Sequence, residues 1–314
     1  MNKNSKQIDS LSRKEKYRIL CEKESTIPLF CRDWWLDATA GENNWDIAIT
    51  TNDDEIIGAL PYSKIVVDEK VTLSTPIETK FLGPWVKDTG SKYSKAITRE
   101  KRILEKLITE LPKFHKYSQN WHHKTKNWLP FYWNNFKQTT FYTYIIEDLS
   151  SINIVWENTL ENLKTDIRKA QKRFKLSVNS KHSIKEFIRL NRMTFERQGK
   201  TPPYEEELII KINNECNYRN CGRCFYAEDQ KGNLHSAVYI VWDENSAYYL
   251  WGGSDPKFRN SGANSYCLWE AIKFSSSVTK AFDFEGSILK PIEKYFRSFG
   301  GKLTPYFHVY KTNI

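Results

Sequence analysis

One order of elements runs twice along this chain, and it limits the fold more than any single motif does. In the first half, LFCRDWWLDAT (29–39) has the apolar spacing of a helix, and strands are predicted near 45–50, 55–66 and 69–74. Asn52-Asp53-Asp54 forms a hairpin turn between the first two strands. A helix follows at about 93–111, with Ile97, Leu104, Leu107, Ile108 and Leu111 on one face and Pro112 ending it. Strands near 114–121 and 139–146 close this half. The second half predicts helices near 155–172, 183–198 and 204–216, then strands near 223–229, 234–243 and 246–252. It ends with a helix at 262–277, a strand at 280–284, a helix at 289–298 and a strand at 302–310. Each half reads helix, three-strand meander, helix, strand, helix or turn, strand. The repeat is one of architecture, without residue-level repetition. EDLSSINIVW (147–156) lacks periodicity and marks the expected boundary, giving domains 1–150 and 151–314. The order implies two mixed α/β (α+β) sandwiches, with the cleft between domains an expected place for a substrate.

The length of 314 residues supports two such cores, and 39% hydrophobic with 27% charged residues excludes a disordered chain. Lys plus Arg less Asp plus Glu is 48 − 38 = +10, which favours an anionic partner: nucleic acid, nucleotide, phospholipid surface or phosphorylated small molecule. The basic residues are dispersed rather than gathered into a nucleic-acid arm. No apolar run approaches a membrane span, and MNKNSKQIDSLSRKEKYR lacks the apolar core of a signal peptide, so a cytoplasmic protein is expected. The six cysteines are then expected as reduced thiols. CNYRNCGRC, with His235 beyond it, hints at zinc. Cys224 begins a predicted strand, however, and there is no second CxxC, so loop and core thiols are expected and no metal.

Four stretches carry candidate chemistry. In FDFEGSILKPIEKYFRSFGG (282–301), the alternation predicts that Asp283 and Glu285 leave one strand on the same side, before a turn at Gly286-Ser287. The following helix spaces Ile288, Leu289, Ile292, Tyr295, Phe296 and Phe299 as one apolar face. In YYLWGGSDPKFRNSGANSYCLWEAIKF (248–274), a strand is expected to end at Gly252-Gly253, permitting a bulge or splay that frees backbone donors. A loop then passes Arg259, and a helix starting around Gly262 to Ser265 offers unpaired N–H groups as a phosphate cradle. In NLKTDIRKAQKRFKL (162–176), Lys164, Arg168 and Lys172 share a helix face, where an anion would relieve their repulsion. In FERQGKTPPY (195–204), Pro202-Pro203 presents Tyr204, which could stack on a sugar or base. Each stretch also has a structural explanation: a solvated strand edge, an ordinary turn, a solvated helix face, or aromatic packing.

Together these stretches, in order and spacing, resemble the tandem-GNAT N-acyltransferases related to the Fem peptidyltransferases of peptidoglycan bridge formation. DWWLDATAG, IIGALPYS and FLGPW are similar to that family's amino-terminal GNAT-like domain. The resemblance covers nearly the whole chain after about residue 28. It implies two GNAT-like domains in tandem, the second catalytic, each a mixed, mostly antiparallel sheet flanked by helices. One branch takes an aminoacyl group from tRNA and adds it to a peptidoglycan precursor. Another uses acyl-CoA to acylate the amine of a nucleotide-linked amino sugar, such as a dTDP-linked amino-dideoxyhexose, for surface polysaccharide. The chain lacks the long charged helical hairpin of several Fem proteins, which favours the acyl-CoA branch, with acyl-CoA as co-substrate and no permanently bound cofactor.

RNSGAN matches the GNAT pyrophosphate motif at Arg259 and Gly262, with Asn264 where the family usually has Gly or Ala. The resemblance then implies a donor site of Trp251, Gly252, Gly253, Arg259, Gly262, Ala263, Asn264 and Ser265. Glu285 or Asp283 would be the base, and freed N–H groups near Trp251 to Gly253 would polarise the thioester. Tyr295 resembles the tyrosine that protonates the leaving thiolate, and Lys290 would stabilise charge. Arg168, Lys172 and Tyr204 would hold the acceptor's phosphates and ring. A non-enzymatic RNA-binding protein or scaffold is the rival class; RNA binding would fall steeply with salt.

Overall fold

The computed structural model describes residues 11–286 and 289–313. The chain divides into two compact units, one of residues 1–141 and 305–314, the other of 142–304. The expected boundary at 150/151 therefore falls inside the second unit, and the chain's end returns to the first. The cause is strand pairing. Ile145 and Ile146 pair with Asp283 and Phe282, while His308–Thr312 pairs antiparallel with Asn120–Lys116.

The first unit opens with α1 (Arg13–Lys23), nucleated by a capping box in which Ser12 and Glu15 satisfy each other's backbone N–H groups. Only Tyr17 and Cys21 of α1 are buried, too few to leave an apolar stripe in the sequence. Then come α2 (Asp33–Thr39), β1 (Trp45–Asn52), β2 (Glu55–Val67), β3 (Lys70–Ser74), β4 (Trp85–Val86), α3 (Tyr93–Thr109), β5 (Lys116–Asn120), α4 (Leu129–Trp133) and β6 (Lys137–Ile146). Asp53 and Asp54 both have positive φ, 47° and 67°, the left-handed pair that a two-residue hairpin turn needs. The sheet order is β1-β2-β3-β5, with β3 and β5 parallel. Ile103, Leu104 and Leu107 bury one face of α3, and Tyr117, Trp121, Phe131 and Phe136 join them in the core.

The second unit contains α5 (Ile152–Asn158), α6 (Glu161–Lys172), β7 (Ser177–Asn179), α7 (Ile184–Glu196), α8 (Glu206–Tyr218), β8 (Gly222–Glu228), β9 (Leu234–Trp242), β10 (Ser246–Ser254), α9 (Ala263–Ser275), β11 (Ala281–Asp283) and α10 (Lys290–Arg297), followed by the start of β12 (Lys302–Thr312). The helix predicted over 155–172 is two helices, because Thr159 and Leu160 are extended. Strands run in the order β6-β11-β10-β9-β8-β7, antiparallel throughout except for the β10–β11 pair. Every residue of β9 is buried, as a strand covered on both faces requires. Val238 and Ile240 share a core cluster with Leu268 and Ile272 of α9, while Tyr239 meets Phe187 of α7 at 6.1 Å. Each unit is thus a mixed sheet flanked by helices, the fold class expected.

Among the described residues, no helix is long and apolar enough to cross a membrane. Also among the described residues, no group of three or more His, Cys, Asp or Glu is placed to hold a metal ion. Cys224 lies within β8, and His235 stacks on Phe258 with centroids 3.9 Å apart.

Candidate active site

The site begins where β10 and β11 part. The two strands pair in parallel over only three residues, Ser246–Tyr248 against Ala281–Asp283. Beyond Tyr248, β10 continues to Ser254 with β9 along one edge and, among the described residues, no strand along the other. The expected strand end at Gly252-Gly253 is corrected accordingly: both glycines lie in the paired strand, and the bulge falls earlier, between Tyr249 and Trp251. Close packing accounts for the glycines. A Cβ on Gly252 would lie 2.1 Å from the Tyr249 hydroxyl, and one on Gly253 would lie 2.5 Å from the backbone nitrogen of Asn191 in α7.

The start of α9 faces this opening through side-chain contacts. Gly262 is its N-cap, with φ 77°, and no side chain caps the helix there. The Ala263 N–H donates to Ser261 Oγ at 3.3 Å, which leaves the other N–H groups of the first turn for an anion. A Cβ on Gly262 would meet the Asp166 carbonyl oxygen of α6 at 2.2 Å, so the glycine is required by helix packing as well as by its backbone angle. Asn264 turns its side chain inward: its amide donates to the Tyr295 hydroxyl at 2.8 Å. Ser236 Oγ lies 3.2 Å from Asn264 Oδ1 and 2.8 Å from the Gly253 carbonyl oxygen. One network therefore joins the open strand, the helix start and Tyr295. Burial raises the Tyr295 hydroxyl well above an ordinary tyrosine, with Ser265 and Asn264 pulling less strongly the other way. The hydroxyl is therefore held protonated.

The two acids part company. β11 ends at Asp283, and Glu285 takes a left-handed backbone with φ 61°, so they do not leave one strand on the same side as the alternation predicted. The left-handed residue breaks the period of two. Asp283 is 2% exposed, and its Oδ1 accepts from the Thr143 hydroxyl at 2.5 Å and from the Glu285 N–H at 2.8 Å. Burial pushes its carboxyl up to about 6, against the hydrogen bonds from Thr143 and Glu285. Gly286, with φ 64°, lies so close to Tyr142 that a Cβ would come within 2.2 Å of its carbonyl oxygen. Ser287 and Ile288, expected at the turn and the helix face, lie outside the described residues. The apolar face predicted for α10 is only partly buried. Phe296 and Phe299 enter the core, while Leu289 and Ile292 are exposed because the first helical turn does not reach it.

The Asp283 geometry yields a prediction. A carboxyl raised from 3.8 to about 6 on folding contributes its stability below about pH 4 and loses it as pH rises through about 6. Asp283→Asn is therefore expected to stabilise the protein at pH 8, by up to ~3 kcal/mol, and to change little at pH 4. Urea denaturation at the two pH values checks this; equal effects at both would refute it.

Tyr204 donates to Asn191 Oδ1 at 2.9 Å, and the Asn191 amide donates to the Gly252 carbonyl at 2.8 Å. Its ring lies 6.3 Å from that of Trp251. Arg168 and Lys172 are exposed on α6, and Arg168 pairs with Glu161, which also lies 4.0 Å from Lys164. The repulsion expected along that face is thus compensated within the helix. Arg259 and Lys290 are exposed, at the turn before α9 and at the first turn of α10. The network brings together Gly253, Asn264 and Tyr295, with Asn191 and Tyr204 beside it; no hydrogen bond or ion pair among the described residues links the four cations to it. Asn191, Thr143 and Ser236 escaped the sequence reading. Only Asn191 left a signal, as a polar residue on the face that Phe187 and Leu190 bury.

Residues 157–286 match the family model described as an acetyltransferase (GNAT) domain. The matched GNAT acetyltransferase domain lies within the second unit. That domain implies acyl-CoA as co-substrate. Among solved structures, the crystal structure of FemX is similar, with TM-score 0.69 and 13% identity over 95% of this chain and 96% of that one. L-PGS from Bacillus licheniformis aligns with TM-score 0.56 and 9% identity over 96% and 93%. A tandem GNAT protein from the clavulanic acid biosynthesis pathway aligns with TM-score 0.50 and 7% identity over 98% and 95%. At these identities the likeness is one of fold. A search of curated proteins finds no match to this sequence.

Proposed function

We propose that this GNAT protein moves an acyl group from acyl-CoA to the amine of a nucleotide-linked amino sugar, such as a dTDP-linked amino-dideoxyhexose. The observation that carries the reading is the network joining Gly253, Ser236, Asn264 and Tyr295, which sets a protonated tyrosine beside the start of α9. N–H groups of α9's first turn, with Arg259, hold the donor's pyrophosphate. Glu285 accepts a proton from the attacking amine, directly or through water. Asp283 binds the Glu285 N–H and so fixes the left-handed backbone from which that side chain projects. As the new C–N bond forms and the C–S bond breaks, Tyr295 gives its proton to the departing sulfur and regains one from solvent. Tyr204 offers a ring to the acceptor, and Lys290, Arg168 and Lys172 offer charge for its phosphates.

A second reading is Fem-type transfer of an aminoacyl group from tRNA to a peptidoglycan precursor; the fold likeness to FemX supports keeping it. Donor assays separate the two. Mixing the protein with acetyl-CoA and a dTDP-amino sugar is expected to release free thiol at a rate that depends on the amine. Aminoacyl transfer from tRNA with no thiol release from acyl-CoA would establish the second reading instead.

A further inference from the structure

The first unit contains an open groove of about 1080 Å³ between α3 and the β1–β2 hairpin, lined entirely by that unit's residues. Lys95, Arg99, Arg102 and Lys106 line it at spacings of four, three and four, which puts them along one face of α3. That row is about 16 Å long at 1.5 Å per residue. Lys87 adds a fifth cation, against the carboxylates of Glu55 and Asp88. Glu55 pairs with Lys87, and Asp88 accepts the N–H of Gly90. The Arg99 guanidinium is anchored on the Lys87 carbonyl at 2.6 Å. Among the described residues, no carboxylate lies within ion-pair distance of Lys95, Arg102 or Lys106.

An exposed row of cations is ordinarily a solvated helix face, but here a second and independent feature lines the same groove. Thr50 is 5% exposed, and its hydroxyl is buried with no hydrogen-bond partner among the described residues. Thr50 sits beside a strand irregularity and pairs across the hairpin with Gly58, whose missing side chain admits Ile103 of α3. An unpartnered buried hydroxyl costs stability unless a ligand or ordered water meets it.

We infer that this groove binds a phosphate-bearing small molecule of nucleotide size, separate from the donor site on α9. Its phosphates meet the cations of α3, the Thr50 hydroxyl supplies a hydrogen bond, and Ile57 and Ile103 offer apolar surface to a ring. The volume is ample for a nucleotide and lies just above the usual range for small-molecule sites. The +10 net charge is consistent with an anionic ligand.

Calorimetric titration with inorganic pyrophosphate and with uridine diphosphate, in saturating CoA so that any donor site is filled, tests the assignment. Arg102→Glu combined with Lys106→Glu is expected to weaken both ligands about ten-fold or more, the scale of charge-assisted hydrogen bonds. Both side chains are exposed, so the variant should fold, with at most a small fall in melting temperature because Lys106 lies in the last turn of α3. Thr50→Val, which keeps the shape and removes the hydroxyl, should weaken both ligands about three-fold or more. Unchanged affinity in both folded variants overturns the site. Binding of a short single-stranded RNA with steep salt dependence, without binding of either small ligand, overturns the small-molecule assignment. Because neither probe is an acyl donor, failure of the acyl-transfer assay leaves this outcome readable.

Discussion

Gly262→Ala is expected to lose acyl-CoA binding and to destabilise the protein by more than ~3 kcal/mol, the largest effect of any single methyl group at the proposed site. Two costs combine. Gly262 has φ 77°, a left-handed conformation that costs an L-residue roughly 1–2 kcal/mol. The added Cβ would also lie 2.2 Å from the Asp166 carbonyl oxygen, a backbone atom that no rotamer change can move. Either α6 or the first turn of α9 must shift, and the N–H groups proposed to hold the pyrophosphate shift with it. Gly199→Ala supplies the control: φ is 66°, but nothing lies within 4 Å, so only the conformational cost applies. Urea denaturation of both variants and calorimetry with acyl-CoA decide the matter. If Gly262→Ala is no worse than Gly199→Ala and still binds acyl-CoA, the close packing and the donor site are both wrong.

Glu285→Gln should lower turnover by roughly 10²–10⁴-fold while acyl-CoA affinity stays as it was, since a base acts on the amine rather than on the donor. The substitution keeps the side chain's length and leaves the backbone hydrogen bond from residue 285 to Asp283 in place. Asp283→Asn is the informative partner. Asp283 is buried and engaged by Thr143 and the Glu285 N–H, so its amide should slow turnover less than Glu285→Gln does. Near-normal turnover in Glu285→Gln with a dead Asp283→Asn would reverse the two roles. Normal turnover in both would leave proton removal to solvent or to the substrate.

The error in reading these two acids shows where sequence reasoning stops. The alternation Phe282-Asp283-Phe284-Glu285 has the period of a strand, yet β11 lasts only through Asp283. Tyr142 presses on Gly286, and Glu285 adopts its left-handed turn two residues from the carboxylate that accepts its N–H. The Tyr142 contact, and the Thr143 hydroxyl that holds Asp283, come from β6, about 140 residues earlier in the chain.

What the sequence determined by itself is the set of elements and their order. The three-strand meanders, α3 ending before Pro112, the Asp53-Asp54 turn and the largely apolar β9 all follow from periodicity and turn chemistry, which act between residues a few positions apart. The helix start at Gly262 was legible for the same reason. α1 was not, since two buried side chains make no stripe. Tertiary structure alone decided how the pieces of the site meet. Ser236 bridging Gly253 to Asn264, Asn264 reaching Tyr295, and Asn191 linking Tyr204 to Gly252 join residues 13 to 61 positions apart. Such contacts depend on which strand faces which helix, and at what distance. Side-chain packing across the sheet sets that distance, and no local pattern encodes it.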